Sequence, residues 1–403
     1  RWIFCSSGQD TEAPMSSSSC RFIHAGDLHL EQPLDGFDTL PASLRERIIA
    51  APLAAAERVF ETAILENVDF LLLSGGILHP ERAGPQALQF LCEQFALLQE
   101  HNVTVFWGGA AEDGPEQWPT ALKLPENVMR FSAERVATLH AIRGGEKLAA
   151  IHGTCSDVFE PQDYQPDPDS SFNITLGCAP YLPDSWRPTN MDYWALSGQP
   201  QHLDWQGNSR ISYCGTTQGR NPDHSGAHGC LLIEIAAEEK IRRQLFPTDV
   251  VRFQQEYITW AASESASKFE DKLVARARHL HSDNGEPPRV ITWVIDRDDS
   301  THVPPTSQVL QQWLTRLRRE FGAQDTPLWT RTITLSGSHE IASSLLQEQT
   351  LLGDYLRVLR EGDLSLSSSE PITLAEFPRN DRQLLEQIAN LGLDRLRHHE
   401  VVE

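Results

Sequence analysis

What this 403-residue chain lacks narrows its class. No run of about eighteen apolar residues occurs, so no segment reads as a membrane-spanning helix. The N-terminus lacks the charged-then-apolar pattern of a secretory signal. No two cysteines have C-x-x-C spacing; the seven, at 5, 20, 92, 155, 178, 214 and 230, read as reduced thiols in a cytoplasmic chain. An excess of positive charge is also missing. With 34 basic against 56 acidic residues the formal charge is −22, a field that repels polyanions, so DNA binding is expected to be weak or absent. A basic groove would have to be local, around Arg316, Arg318 and Arg319, and the plainer reading of that cluster is a solvated helix face. No G-x-x-x-x-G-K follows a strand, which leaves Gly75-Gly76, Gly108-Gly109 and Gly144-Gly145 as turn glycines rather than a phosphate cradle. There is no internal repeat.

What is present is an ordinary globular composition, with neither the bias of disorder nor that of collagen. The length allows two domains, because single cores stop growing near roughly 250–300 residues. The chain opens on Arg1, and residues 1–19 are polar and aperiodic; they read as a disordered leader, with translation starting at Met15, an expectation that N-terminal sequencing of the native protein checks.

Short β-branched and aromatic runs alternate with longer helical patterns through the first half, the signature of a layered α/β architecture. Strands are predicted at 21–25, 69–73 and 103–107, separated by helices over 43–67 and 86–101. From 128 the units shorten to successive strands at 128–131, 136–142, 148–152, 172–176, 193–196, 210–213 and 229–235, with loops at 160–170 and 186–190. After Pro247 a strand–helix alternation returns: an extended segment, helices over 268–279 and 307–321, and strands at 289–295 and 330–335. Helical patterns at 343–360 and 381–398, divided by a Ser-rich break at 364–369, close the chain.

Ile23 to His29 reads I-H-A-G-D-L-H, a strand running into a loop that carries Asp27 and His29. An Asp-x-His pair at a strand's carboxyl end offers one carboxylate and one imidazole to a divalent metal; the alternative is that both side chains merely cap backbone groups.

The segment H-A-G-D-L-H-L-E-Q-P, followed by V-D-F-L-L-L-S-G-G, resembles the opening of the SbcD/YhaO-type DNA-repair exonucleases of the calcineurin-like metallophosphoesterase superfamily. F-N-I-T-L at 172–176, M-D-Y-W-A-L at 191–196, the long stretch 211–235 and T-L-L-G-D-Y-L-R at 350–357 resemble that family too, so the likeness covers residues 20–403. It implies an α/β fold, a four-layer sandwich of two mixed β-sheets flanked by helices with a C-terminal α+β cap and terminal helices. The boundaries it suggests are 20–247 for the metallophosphoesterase-like domain, 248–340 for the cap and 341–403 for the helical region. It also implies two-metal phosphodiester hydrolysis, manganese-dependent in active relatives, and a partner, an SMC-like coiled-coil ATPase.

Five motifs supply the family's ligands, and only the first, Asp27 and His29, is intact here. The bridging carboxylate of the second falls on Gly76. The Asn and the proton-donating His of the third fall on Ala110 and Ala111, which neither coordinate nor transfer a proton. Cys178 stands where the fourth has a His, and Gly198 and Pro200 occupy the G-H-x-H of the fifth. His202 lies two places on, and Pro200 hinders sliding it back. The resemblance therefore implies a degenerate homologue, with no catalytic residue, no cofactor expected, and an interaction or scaffold role. The rival is a phosphodiesterase with a rebuilt metal site around Asp27, His29 and Cys178. Cys178 with His152 or His202 could also mimic a Cys–His nucleophile, and Trp186, Tyr193, Trp194 and Trp205 either stack bases or pack a core.

Overall fold

The computed structural model describes residues 19–335, apart from 38–39, 184, 189, 237–240, 283–285, 298–304 and 324–326. The expected leader up to residue 18, Met15 and the helices predicted beyond 340 lie outside the described residues.

Four runs rich in apolar residues, β1 (Cys20–Ala25), β2 (Phe70–Leu73), β3 (Thr104–Trp107) and β4 (Val128–Arg130), form parallel neighbours. Parallel pairing needs a crossover. Helices α1 (Ala42–Leu65) and α2 (Pro85–Glu100) provide the first two. Pro52 sits inside α1, where it removes one backbone hydrogen bond; the helix runs through it because Leu44, Ile48, Ala51, Pro52, Ala55 and Val59 are all buried along one side.

The chain then builds a second sheet from β5 (Ala137–Arg143), β6 (Glu146–Gly153), β7 (Asn173–Cys178), β8 (Tyr193–Ser197), β9 (Leu203–Asp204) and β10 (Ile211–Tyr213), in the order β5-β6-β7-β8-β10-β9. It returns through β11 (Gly229–Ile235), antiparallel to β1, and β12 (Ile241–Pro247), which complete the first sheet as β12-β11-β1-β2-β3-β4. Both sheets are mixed and six-stranded. A third sheet follows, of β13 (Arg252–Trp260), β14 (Arg289–Arg297) and β15 (Leu328–Leu335), with crossovers α3 (Ala266–His281) and α4 (Ser307–Phe321).

The two large sheets face each other across Phe22, Phe70, Leu72, Phe106 and Ile233 on one side and Ile151, Ile174, Leu176, Tyr193 and Ala195 on the other. Phe22 stacks on Phe70 at 4.8 Å and meets Tyr193 edge-on at 5.8 Å. Fully burying each such phenyl contributes roughly 2–3 kcal/mol. The other face of the first sheet packs on α1 and α2 through Ile23, Leu71, Val105, Val59, Phe60 and Phe95. Long connections cover the outer face of the second sheet, where Tyr164, Leu182, Trp194 and Ile211 cluster.

Of the described residues, one compact unit takes 19–256, 270–293 and 305–332, and a second takes 257–269, 294–297 and 333–335.

Candidate functional site

Because β1, β2 and β3 are parallel, and β7, β8 and β10 likewise, their carboxyl ends carry the loops that form a common crevice, the usual place for a site in an open α/β sheet. Asp27 and His29 follow β1. Both adopt left-handed backbone, with φ of 49° and 43°. Such conformations cost of order 1–3 kcal/mol each and persist where the surroundings fix them. Here the fixing is done by the loop after β2: the Asp27 amide donates to Gly75 O at 2.8 Å and the His29 amide to Gly76 O at 2.9 Å.

Asp27 is 6% exposed. Its Oδ2 accepts the Gly198 amide at 2.7 Å, and its Oδ1 lies 3.5 Å from His29 Nε2. Burial works to lower the His29 pKa, but the bond to Asp27 and that carboxylate's charge outweigh it and hold the imidazole above its ordinary range.

Some of the positions where the resemblance places the other ligands come together around this pair. A Cβ on Gly76, itself at φ 64°, would stand 2.7 Å from Asp27 Oδ1 and 3.1 Å from His29 Cε1. A Cβ on Gly75 would meet the Ala110 amide at 2.8 Å and Cys178 Cβ at 3.2 Å. Gly198 touches Asp27 through its amide. Pro200 is one hydrogen bond further off, its carbonyl accepting the Thr216 amide at 3.1 Å, and Thr216 bridges to Gly26. Ala111 turns outward and donates its amide to Asp157 Oδ1 at 3.2 Å.

The donor set does not fit a two-metal centre. One carboxylate and one imidazole stand where two cations would need many oxygen and nitrogen ligands, and glycine, alanine and proline side chains supply none. Among the described residues no group of three or more His, Cys, Asp or Glu side chains is placed to hold a metal ion. Cys178 adds one soft sulfur, a poor ligand for manganese; burial, with the Asp27 charge, pushes its thiol up to about 12.

One side chain with a central role escaped the sequence reading. Asp113 is fully buried, and its two oxygens accept the amides of Gly76 at 2.8 Å and Ile77 at 3.1 Å. Burial pushes its carboxyl up to about 7, against the pull of these donors. Arg130, stacked 4.5 Å over Trp107, donates to the Asp113 carbonyl and ties the loop down. Beneath the crevice runs a second buried chain: the Tyr193 hydroxyl lies 3.0 Å from His24 Nδ1, and Ser74 Oγ lies 3.2 Å from His24 Nε2. Ser197 Oγ donates to the Ser74 carbonyl at 2.6 Å. The sequence signal for these residues was weak, since Asp113 simply follows the third motif and His24 alternates with apolar neighbours on a strand.

The other candidates separate. His152 bonds Thr138 and Asn173, and His202 faces the Tyr213 carbonyl at 2.9 Å, so neither pairs with Cys178. Two further histidines, His224 and His228 in the loop before β11, stack at 5.9 Å and are held by Arg220, Thr216 and Gln201. Tyr193 points between the sheets, whereas Trp186, Trp194 and Trp205 cluster on the outer face. Arg316 is paired with Glu270 and Glu320, and Arg318 donates to the carbonyls of Thr330 and Arg331. Among the described residues no helix is long and apolar enough to cross a membrane.

No protein-family model matches the chain. The chain is 31% identical over 235 residues to the uncharacterized metallophosphoesterase YhaO of Bacillus subtilis (strain 168). The matched stretch covers 53% of this chain and 57% of that protein, so the likeness spans about half of each. On that likeness the chain is a distant homologue, over the matched stretch, of a protein described as a metallophosphoesterase, and its two facing mixed sheets are the fold that the resemblance leads one to expect.

Proposed function

We propose that this chain is a metallophosphoesterase relative that no longer performs two-metal hydrolysis and serves as an interaction or scaffold subunit. The observation that carries the reading is the junction of Gly76 with Asp27: where the resemblance requires a bridging carboxylate, even a Cβ would stand 2.7 Å from Asp27 Oδ1. The remaining carboxylate is already engaged by the Gly198 amide. A single cation held by Asp27 and His29 would keep most of its waters and bind weakly, so this reading includes no resident cofactor. The resemblance to the SbcD/YhaO-type exonucleases points to an SMC-like coiled-coil ATPase as partner. Pull-down from the native cell tests that part, and its recovery in stoichiometric amount is the expected result.

A second reading, a phosphodiesterase rebuilt around Asp27, His29 and Cys178, draws support from one feature: the left-handed backbone at Asp27 and His29, a costly conformation of the kind that clusters at functional sites. Purified chain assayed on a generic phosphodiester with manganese, alongside elemental analysis, separates the two. The proposed reading expects no turnover above the metal-only control.

A further inference from the structure

Three tryptophans meet on the outer face of the second sheet. Trp186, in the loop between β7 and β8, lies 5.0 Å by ring centroid from both Trp194 on β8 and Trp205 in the turn after β9, steeply inclined to each. Trp194 is sealed beneath, but Trp186 and Trp205 are only half-buried. Their indole N–H groups reach the surface, and no group among the described residues accepts from either. Pro188, Asn208 and Arg210 line a depression beside them. The Arg210 guanidinium is exposed and has no partner among the described residues.

The acceptors of this face, by contrast, are engaged within the protein. Asn208 Oδ1 takes the Arg210 amide at 3.1 Å, and Asp192 Oδ2 takes the Asn173 amide at 2.8 Å. The Trp186 carbonyl takes the Arg187 guanidinium at 2.8 Å, and the Trp205 and Arg210 carbonyls take the amides of Asn208 and Trp194 at 2.9 and 2.7 Å. Asp204, next to Trp205, is held by Arg243 and Ser212. An indole N–H and a guanidinium donate and cannot accept. The face therefore offers donors and aromatic surface, and its complement is a chain that accepts hydrogen bonds without donating them.

A proline-rich segment has that character. Each proline lacks an N–H, and the polyproline II form leaves every carbonyl unpaired and directed outward. Its rings pack on aromatic side chains, and a carboxylate along it suits the Arg210 guanidinium. We infer that this face docks an acidic, proline-rich segment of a partner protein. A nucleic acid also offers acceptors, but the chain's charge of −22 opposes a polyanion. The inference rests on this face alone and not on the state of the Asp27 crevice.

The test is a titration of the full chain, ¹⁵N-labelled, into the millimolar range with a short peptide alternating Glu with Pro-Pro. The readout is the indole cross-peaks of Trp186 and Trp205, which Trp186→Phe and Trp205→Phe assign by their loss. The peptide moves both peaks, and either Arg210→Ala, a change on the exposed surface, or Lys in place of Glu in the peptide weakens binding several-fold. Equal binding of a peptide with Ala in place of Pro overturns the proline assignment, and equal binding of the Lys peptide overturns the acidic one. Oligothymidylate moving the peaks where the peptide does not makes this a nucleic-acid surface instead. Peaks that no ligand moves mean that water alone serves the two indoles, and the docking face is overturned.

Discussion

The Gly198 amide donates to Asp27 Oδ2 at 2.7 Å, across the gap between the two large sheets. A carboxylate that the resemblance assigns to a metal is thus held by the protein's own backbone. If that bond is structural, Asp27→Asn, which keeps the acceptor and removes the charge, lowers stability by only about 1–2 kcal/mol. It also leaves phosphodiester turnover at its starting level. Chemical denaturation and a nuclease assay on the same preparation read both, and loss of a measurable activity in the variant runs against the account.

Gly76 packs so closely on Asp27 and His29 that a methyl group has no room. Gly76→Ala combines that clash with a left-handed backbone at φ 64° and should destabilise the domain by roughly 2–4 kcal/mol. An unchanged unfolding midpoint would mean that the loops after β1 and β2 are looser than the hydrogen bonds between them imply.

Asp113 clamps the same turn from behind. Asp113→Ala leaves the Gly76 and Ile77 amides buried without an acceptor, and each such donor costs about 1–3 kcal/mol. A loss of roughly 2–4 kcal/mol is expected, with faster hydrogen exchange at those two amides. Exchange that stays slow there contradicts the clamp.

The domain should be acid-labile through its buried imidazoles. Burial lowers the His24 pKa from 6.5 to about 3, and lowers those of His152, His224 and His228 as well. In the unfolded chain these rings take protons near pH 6.5, and in the fold they resist. The stability they contribute is therefore full above pH 6.5 and is lost as the pH falls from there towards 3. Asp113, whose carboxyl is raised, acts in the opposite sense between about pH 4 and 7, so the ring of His24 is the cleaner readout. Its nitrogen shifts should stay those of a neutral imidazole at pH 5; a midpoint near 6.5 contradicts its burial.

Much of the fold was legible because buried parallel strands read as short apolar runs: Phe70–Leu73 and Thr104–Trp107 stand out between amphipathic helices. Helix α4 was legible to the residue, its apolar positions Trp313, Leu317 and Phe321 recurring one turn apart. Two strands were missed. β12 carries Arg242 and Arg243 side by side on a sheet edge, where only one face needs to be apolar, and β9 is two residues long. Within the site, Asp27 and His29 were legible from a local motif. Asp113 was not, because its partners lie 36 and 37 residues away and become its partners only when the loop after β3 folds back on the loop after β2. The aromatic cluster divided for a similar reason: Tyr193 and Trp194 are consecutive on a strand, and consecutive side chains point to opposite faces.

The most direct test of the central claim is the metal content of the chain purified without chelator, measured together with its manganese-dependent turnover of a phosphodiester. The account predicts well under one equivalent of transition metal and a rate no higher than manganese alone. Two tightly held equivalents accompanied by turnover would contradict it, for they would require ligands that the side chains around Asp27 do not supply.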